Sequence, residues 1–167
     1  MIRTLGRLVD AVRVAEKLAT SYENKIELLA MHNSRFDSRP RIYFEEWYDP
    51  IISGIGWVSE LIQIAGGEDC FSDLSAFPDA KSRIIDNPQR VIERSPDIII
   101  GSWCGRRFHP QQVAERAGWQ SLPAVVNGQI YEIKSTHILQ PGPAALTDGL
   151  DELARIIKDW HKLPATS

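Results

Sequence analysis

Ser95-Pro-Asp-Ile-Ile-Ile-Gly101 decides the fold. Ser95-Pro-Asp97 reads as a turn, and Ile98 to Gly101 as a β-branched run closed by glycine. A short run that is apolar at every position marks a strand buried on both faces, the environment of a parallel sheet covered by helices. The flanks agree. Pro88 to Arg94 and Pro110 to Arg116 read as short helices, each with proline in its first turn. Further upstream, Arg41 to Glu46 reads as a strand, and Trp57 to Ala65 as a helix stopped by Gly66-Gly67. Cys70-Phe71 reads as a short strand, and Ser72 to Asp86 as a polar loop carrying Phe77-Pro78. Downstream, Leu122 to Val126 reads as extended, Asn127-Gly128 as a hairpin-type turn, and Gln129 to Ile133 as a strand. Gln140-Pro-Gly-Pro143 opens a last helix, Ala144 to Trp160, and the tail from Leu163 reads as loose. Strands alternating with helices predict an α/β three-layer sandwich with a mainly parallel sheet.

A long amphipathic helix precedes that sandwich. Residues 2–31 hold no proline and one glycine, with apolar residues at Leu5, Leu8, Val12, Ala15, Leu18 or Ala19, Tyr22, Ile26 and Leu29. Spacings of three and four are the helical period. Thirty residues would span about 45 Å. That stripe is longer than one small domain covers, so both a core-packing helix and a dimerisation helix fit it.

The 167 residues are 43% hydrophobic and 25% charged, a globular composition that excludes disorder. Two cysteines are too few for a disulfide scaffold. A net charge of −3 argues against general nucleic-acid binding. No stretch approaches the roughly 20 apolar residues of a membrane span. Arg3, Arg7, Asp10 and Arg13 interrupt the N-terminus, so no secretory apolar run is visible.

In a parallel sheet, ligands sit beyond the carboxyl ends of the strands. The loops expected there carry Glu45-Glu-Trp-Tyr-Asp49, Phe77-Pro-Asp79, Ser102-Trp-Cys-Gly-Arg106 and Thr136-His-Ile-Leu-Gln140. Glu45 and Glu46 point to opposite faces of a strand, which argues against an acid/base pair. Cys70, Cys104, His32, His109, His137 and His161 show no CxxC, HxxxH or HExxH spacing, so no metal site is expected. Cys104 with His109 has the spacing of a nucleophile pair, but no oxyanion partner can be nominated. Gly54-Ile-Gly56 lacks the third glycine of a dinucleotide fingerprint; Ser59 stands there instead. Trp47, Tyr48, Trp57, Phe77 and Trp103 remain, with Arg106, Arg107 and Gln140 nearby. Flat apolar surfaces with a few polar groups suit a bulky, partly polar ligand.

At these residues the chain resembles a known family. Phe44-Glu-Glu-Trp-Tyr-Asp-Pro50, Gly56-Trp-Val-Ser-Glu-Leu-Ile62, Ala65-Gly-Gly67 and Arg94-Ser-Pro-Asp-Ile-Ile-Ile100 resemble the helical-backbone class of substrate-binding proteins. These serve ABC importers of cobalamin, haem and ferric siderophores. Ile100-Gly-Ser-Trp-Cys-Gly105 and Leu139-Gln-Pro-Gly-Pro-Ala-Ala145 look closest to the cobalamin-binding branch. The resemblance runs from about residue 1 to about residue 161. It implies two domains: a long linking helix, 1–34, and an α/β ligand-binding lobe, 35–167, equivalent to the C-terminal lobe of a two-lobe protein. It implies capture of cobalamin or a similar corrinoid as transported cargo, with no cofactor and no catalysis. Glu45, Trp47, Phe77, Trp103 and Cys104 fall at family-like cleft positions, with Arg106 and Gln140 as polar contacts. The implied partner is a membrane permease, and the implied location is periplasmic or otherwise extracytoplasmic. A glutamate that docks the family onto its permease is replaced here by Gln89, leaving Asp86 or Glu93 as substitutes. The exposed helix stripe implies a homodimer. Arg106-Arg107 keeps a siderophore or haem ligand open, and Cys104–His109 a small enzyme.

Overall fold

The computed structural model describes residues 1–33 and 35–163 and divides the chain into two compact units, 1–35 and 36–167. The N-terminal unit is helical. The apolar stripe predicts one helix over 2–31, but the structure has α1, Ile2–Leu8, and α2, Val12–Asn33. Asp10 takes φ 51°, in the left-handed region, and the chain reverses. Aspartate tolerates that region better than most residues, and no proline or glycine announces it. The two helices meet where side chains are smallest. A Cβ on Gly6 would lie 2.2 Å from the Cβ of Ala15, so only glycine permits this approach. Arg3 bridges the pair, donating to Glu16 at 3.0 Å and to Glu23 at 2.6 Å.

The second unit, called the lobe below, is of the expected α/β class. It begins with β1, Arg41–Tyr48, which runs two residues beyond the strand read from sequence. The cis Asp49–Pro50 bond sits in the tight turn into β2, Ile51–Ser53, which pairs antiparallel with the end of β1. Then come α3, Gly56–Ile64, and β3, Glu68–Asp69, two residues earlier than the strand placed at Cys70-Phe71. The expected polar loop contains α4, Ser72–Ser75, and a 3-10 turn at Lys81–Arg83. Next are α5, Gln89–Arg94, and β4, Ile98–Gly101. After these come α6, Pro110–Ala114, and α7, Pro123–Val126. The chain ends with β5, Ile130–Glu132, α8, Ser135–Ile138, and α9, Leu150–Trp160, entered by a wide π turn over Ala145–Gly149.

The strand order is β2-β1-β4-β5, with β3 alongside the start of β1. Among the described residues, the named strands pair in parallel except β1 with β2, and a single antiparallel bridge joins Ile52 to Ile84. Two sequence expectations fail here. Leu122 to Val126 is not extended, because Pro123 starts α7 at its first position, where its fixed φ is already helical. Asn127-Gly128 makes no hairpin; Gly128, at φ 64°, turns the chain into β5, which joins β4 in parallel. The loose tail expected from Leu163 lies, beyond that residue, outside the described residues.

The sheet is buried on both faces, as the Ile98–Gly101 run requires. On one face Ile42, Ile62 and Ile157 converge above Gly67, joining β1, α3 and α9. On the other, Tyr43, Ile99, Val91, Val113, Trp119 and Phe108 form one cluster. Each side chain of this size withdrawn from water contributes roughly 1.5–3 kcal/mol, so the lobe is held chiefly by these two layers.

Candidate functional site

The carboxyl end of the sheet is built around Glu45. Strand alternation puts Glu45 on the face of Tyr43, opposite Gly101 of β4, where its side chain is completely buried. A buried carboxylate must be paired and hydrogen-bonded. Arg116 supplies the charge, donating to both carboxylate oxygens, with Nη2 3.0 Å from Oε1. Tyr43 Oη donates to Oε2 at 2.8 Å and Trp103 Nε1 to Oε1 at 3.0 Å. Arg116 also lies over the Trp119 ring at 4.7 Å. Burial, reinforced by the charge of Glu45, pushes the Tyr43 phenol well above its ordinary range. Burial works against the Arg116 cation, but the bonds to Glu45 more than offset it and raise its pKa.

A layer of rings and one cation lies above. The Trp103 ring is 3% exposed and packs between Tyr48 and Phe108, each at 4.9 Å. Phe108 reaches this place because residue 101 is glycine; a Cβ there would fall 1.8 Å from the ring. Arg106 sits 4.1 Å above the Tyr48 ring and donates to Tyr48 Oη at 2.6 Å. Trp47 contacts Tyr48 at 6.0 Å, and its indole donates to the Asp49 carbonyl at 2.9 Å. A β-bulge between Glu45 and Trp47 breaks strict alternation, so the chain buries Glu45 yet leaves Trp47 and Tyr48 half-buried.

The sequence-selected residues therefore separate. Glu45, Trp47, Trp103 and Arg106 are brought together with Tyr48. Two of them need correction as surface contacts: Glu45 and Trp103 lie inside the lobe, because an ion pair and a ring stack draw them there. Phe77, Cys104 and Gln140 are exposed, Phe77 after α4 and Gln140 after α8. Glu45 and Glu46 do not share a site: Glu46 pairs instead with buried Arg83 at 2.5 Å. Asp86, Gln89 and Glu93 are all exposed around α5. Sequence reasoning missed Arg116 altogether, since a lone arginine past a short helix carries no spacing signal. Among the described residues, no three His, Cys, Asp or Glu side chains group to hold a metal ion, and no helix is long and apolar enough to cross a membrane.

Comparison with known proteins adds to this geometry. Residues 1–136 match the family described as periplasmic binding protein. The chain belongs to that family. It is 26% identical over 150 residues to the vitamin B12-binding protein of Vibrio parahaemolyticus, covering 87% of this chain and 50% of that protein. It thus spans about half the length of the curated relatives it matches. The fold superposes on the periplasmic vitamin B12 binding protein of Vibrio cholerae with a TM-score of 0.71, at 21% identity, covering 97% of this chain and 60% of the other. It also superposes on Staphylococcus aureus IsdE, solved in complex with haem, with a TM-score of 0.73, at 15% identity, covering 93% and 62%. The α/β class with its mainly parallel sheet and long N-terminal helix is thereby borne out, as is the resemblance to cobalamin-type binding proteins.

Proposed function

We propose that this chain supplies one wall of the ligand cleft of an ABC importer's substrate-binding protein, and that its cargo is cobalamin or a similar corrinoid. The observation that carries this reading is the stack of Tyr48 and Arg106 over Trp103 beyond the carboxyl ends of β1 and β4. Broad aromatic surface with one cation suits a flat macrocycle bearing polar substituents. The reading assigns ligand contact to Trp47, Tyr48, Phe77, Cys104, Arg106 and Gln140, with Glu45 and Trp103 behind them. The role is capture and delivery rather than catalysis, the corrinoid being cargo and not a cofactor. Delivery implies a membrane permease and an extracytoplasmic location. Asp86, Gln89 and Glu93 form the docking edge, with the acidic side chains taking the permease's cations. The exposed apolar side chains Leu5, Leu8, Val9 and Val12 of the helical unit support self-pairing.

Calorimetric titration of the full chain with cyanocobalamin tests the cargo. Saturable heat that is lost in Tyr48→Ala supports the reading. No heat with cyanocobalamin, but saturation with haem, replaces it with the second reading, which the exposed Arg106-Arg107 pair favours because anionic ligands need cations. Light scattering that gives a monomer mass at high concentration removes the self-pairing.

A further inference from the structure

We infer that Glu45 and Arg116 form a positioning bracket beneath the ligand wall, fixing the Trp103 ring and through it the Tyr48–Arg106 stack. The identity of the wall rests on the proposal above; the bracket rests on geometry alone. Glu45 has no exposed surface, so it cannot touch a ligand held outside the lobe. Its carboxylate nevertheless gathers three side chains, two of them from distant points of the chain. Tyr43 comes from the same strand, Trp103 from the loop after β4, and Arg116 from the turn after α6. The Trp103 indole thereby has its one donor fixed, which sets the rotation of the ring about its side-chain bonds. The ring in turn meets Tyr48 at 4.9 Å, and Arg106 lies 5.9 Å above it. Arg116 acts on the wall from a second side, reaching the Tyr48 carbonyl at 3.5 Å. Tyr48 and Phe108 hold the Trp103 ring by packing, and the polar bracket adds the directional restraint on its N–H that packing does not supply.

The experiment follows indole N–H signals in the full chain by NMR, with the Trp103 signal assigned through Trp103→Phe. Trp57 serves as the internal reference, since its indole donates to the Ile138 carbonyl at 2.9 Å, outside this network. Glu45→Gln keeps the volume of the side chain but removes the charge that Arg116 needs. Hydrogen exchange at the Trp103 indole should accelerate about tenfold, the consequence of weakening one charge-assisted network. The Trp57 signal should keep its position and protection. If Glu45→Gln fails to fold, Arg116→Lys, which retains a cation without the bidentate fork, asks the same question. Unchanged Trp103 protection in a folded variant overturns the bracket. Equal acceleration at Trp57 also overturns it, because the role would then be general stability. Neither result depends on a ligand, so failure of cyanocobalamin to bind would sink the cargo reading and leave this test standing.

Discussion

The two units of the chain close their interiors by opposite means. The helical unit brings backbones together through Gly6, Ala15 and Ala19 and leaves Leu5, Leu8, Val9, Val12 and Leu28 in contact with solvent. Beyond that seam it is tied by exposed pairs from Arg3 to Glu16 and Glu23. The lobe buries a layer of large side chains completely, Ile98, Ile99 and Ile100 among them, and encloses a charged group within the same layers. Small residues permit a close helix approach but remove little apolar surface from water. Isoleucines on a two-sided sheet remove a great deal. Most of the fully buried apolar surface therefore belongs to the lobe, whereas the helical unit is held by the close approach that Gly6 permits.

The comparison can be broken by substitutions on either side. Arg116→Ala should cost the most, about 3–5 kcal/mol, because it strands a buried carboxylate. Urea unfolding followed by tryptophan fluorescence measures this, and a loss under about 1 kcal/mol would mean that solvent already reaches Glu45. Ile99→Ala should follow at about 2–5 kcal/mol by the same measurement, the cost of a cavity in a filled layer. Gly6→Val attacks the other unit. It should lower the helical signal in far-ultraviolet circular dichroism while leaving the near-ultraviolet tryptophan signature intact, since all five tryptophans belong to the lobe. A collapse of both signals would unite the two units energetically. Arg3→Ala should have the least effect on melting, because its partners are solvent-exposed and salt screens them.

Ionisation sharpens the same contrast. Burial pushes the Cys70 thiol up to about 12 from an ordinary 9.0. The unfolded thiol ionises first, so the contribution of Cys70 to stability is constant below pH 9.0 and is lost as pH rises towards about 12. Cys70→Ala should flatten that decline. Thiol reagent at neutral pH should consume exposed Cys104 quickly and buried Cys70 only through opening of the lobe.

Much of the lobe was legible because its signals are local. Proline at the first turn of α6, Gly66-Gly67 after α3 and the triple isoleucine each act within a few residues. The failures are of two kinds. The break at Asp10 and the helix at Pro123–Val126 are local conformations that the apolar pattern does not announce, whereas the parallel placement of β5 depends on a distant strand, β4. The site follows the same division. Its aromatic loops could be placed at the strand ends from alternation alone. The burial of Glu45 and Trp103 could not, because Arg116 is 71 residues from its carboxylate partner.

Periodicity and turn chemistry, encoded in neighbouring residues, were enough for the α/β class, for Trp47, Tyr48 and Trp103 at the strand ends and for the separation of Glu45 from Glu46. Only the tertiary structure decided which rings face outward and which lie beneath, and which arginine neutralises which glutamate. Those outcomes are set by long-range charge pairing and by the space that Gly101 leaves for Phe108, and neither has a signature in any short window of the chain.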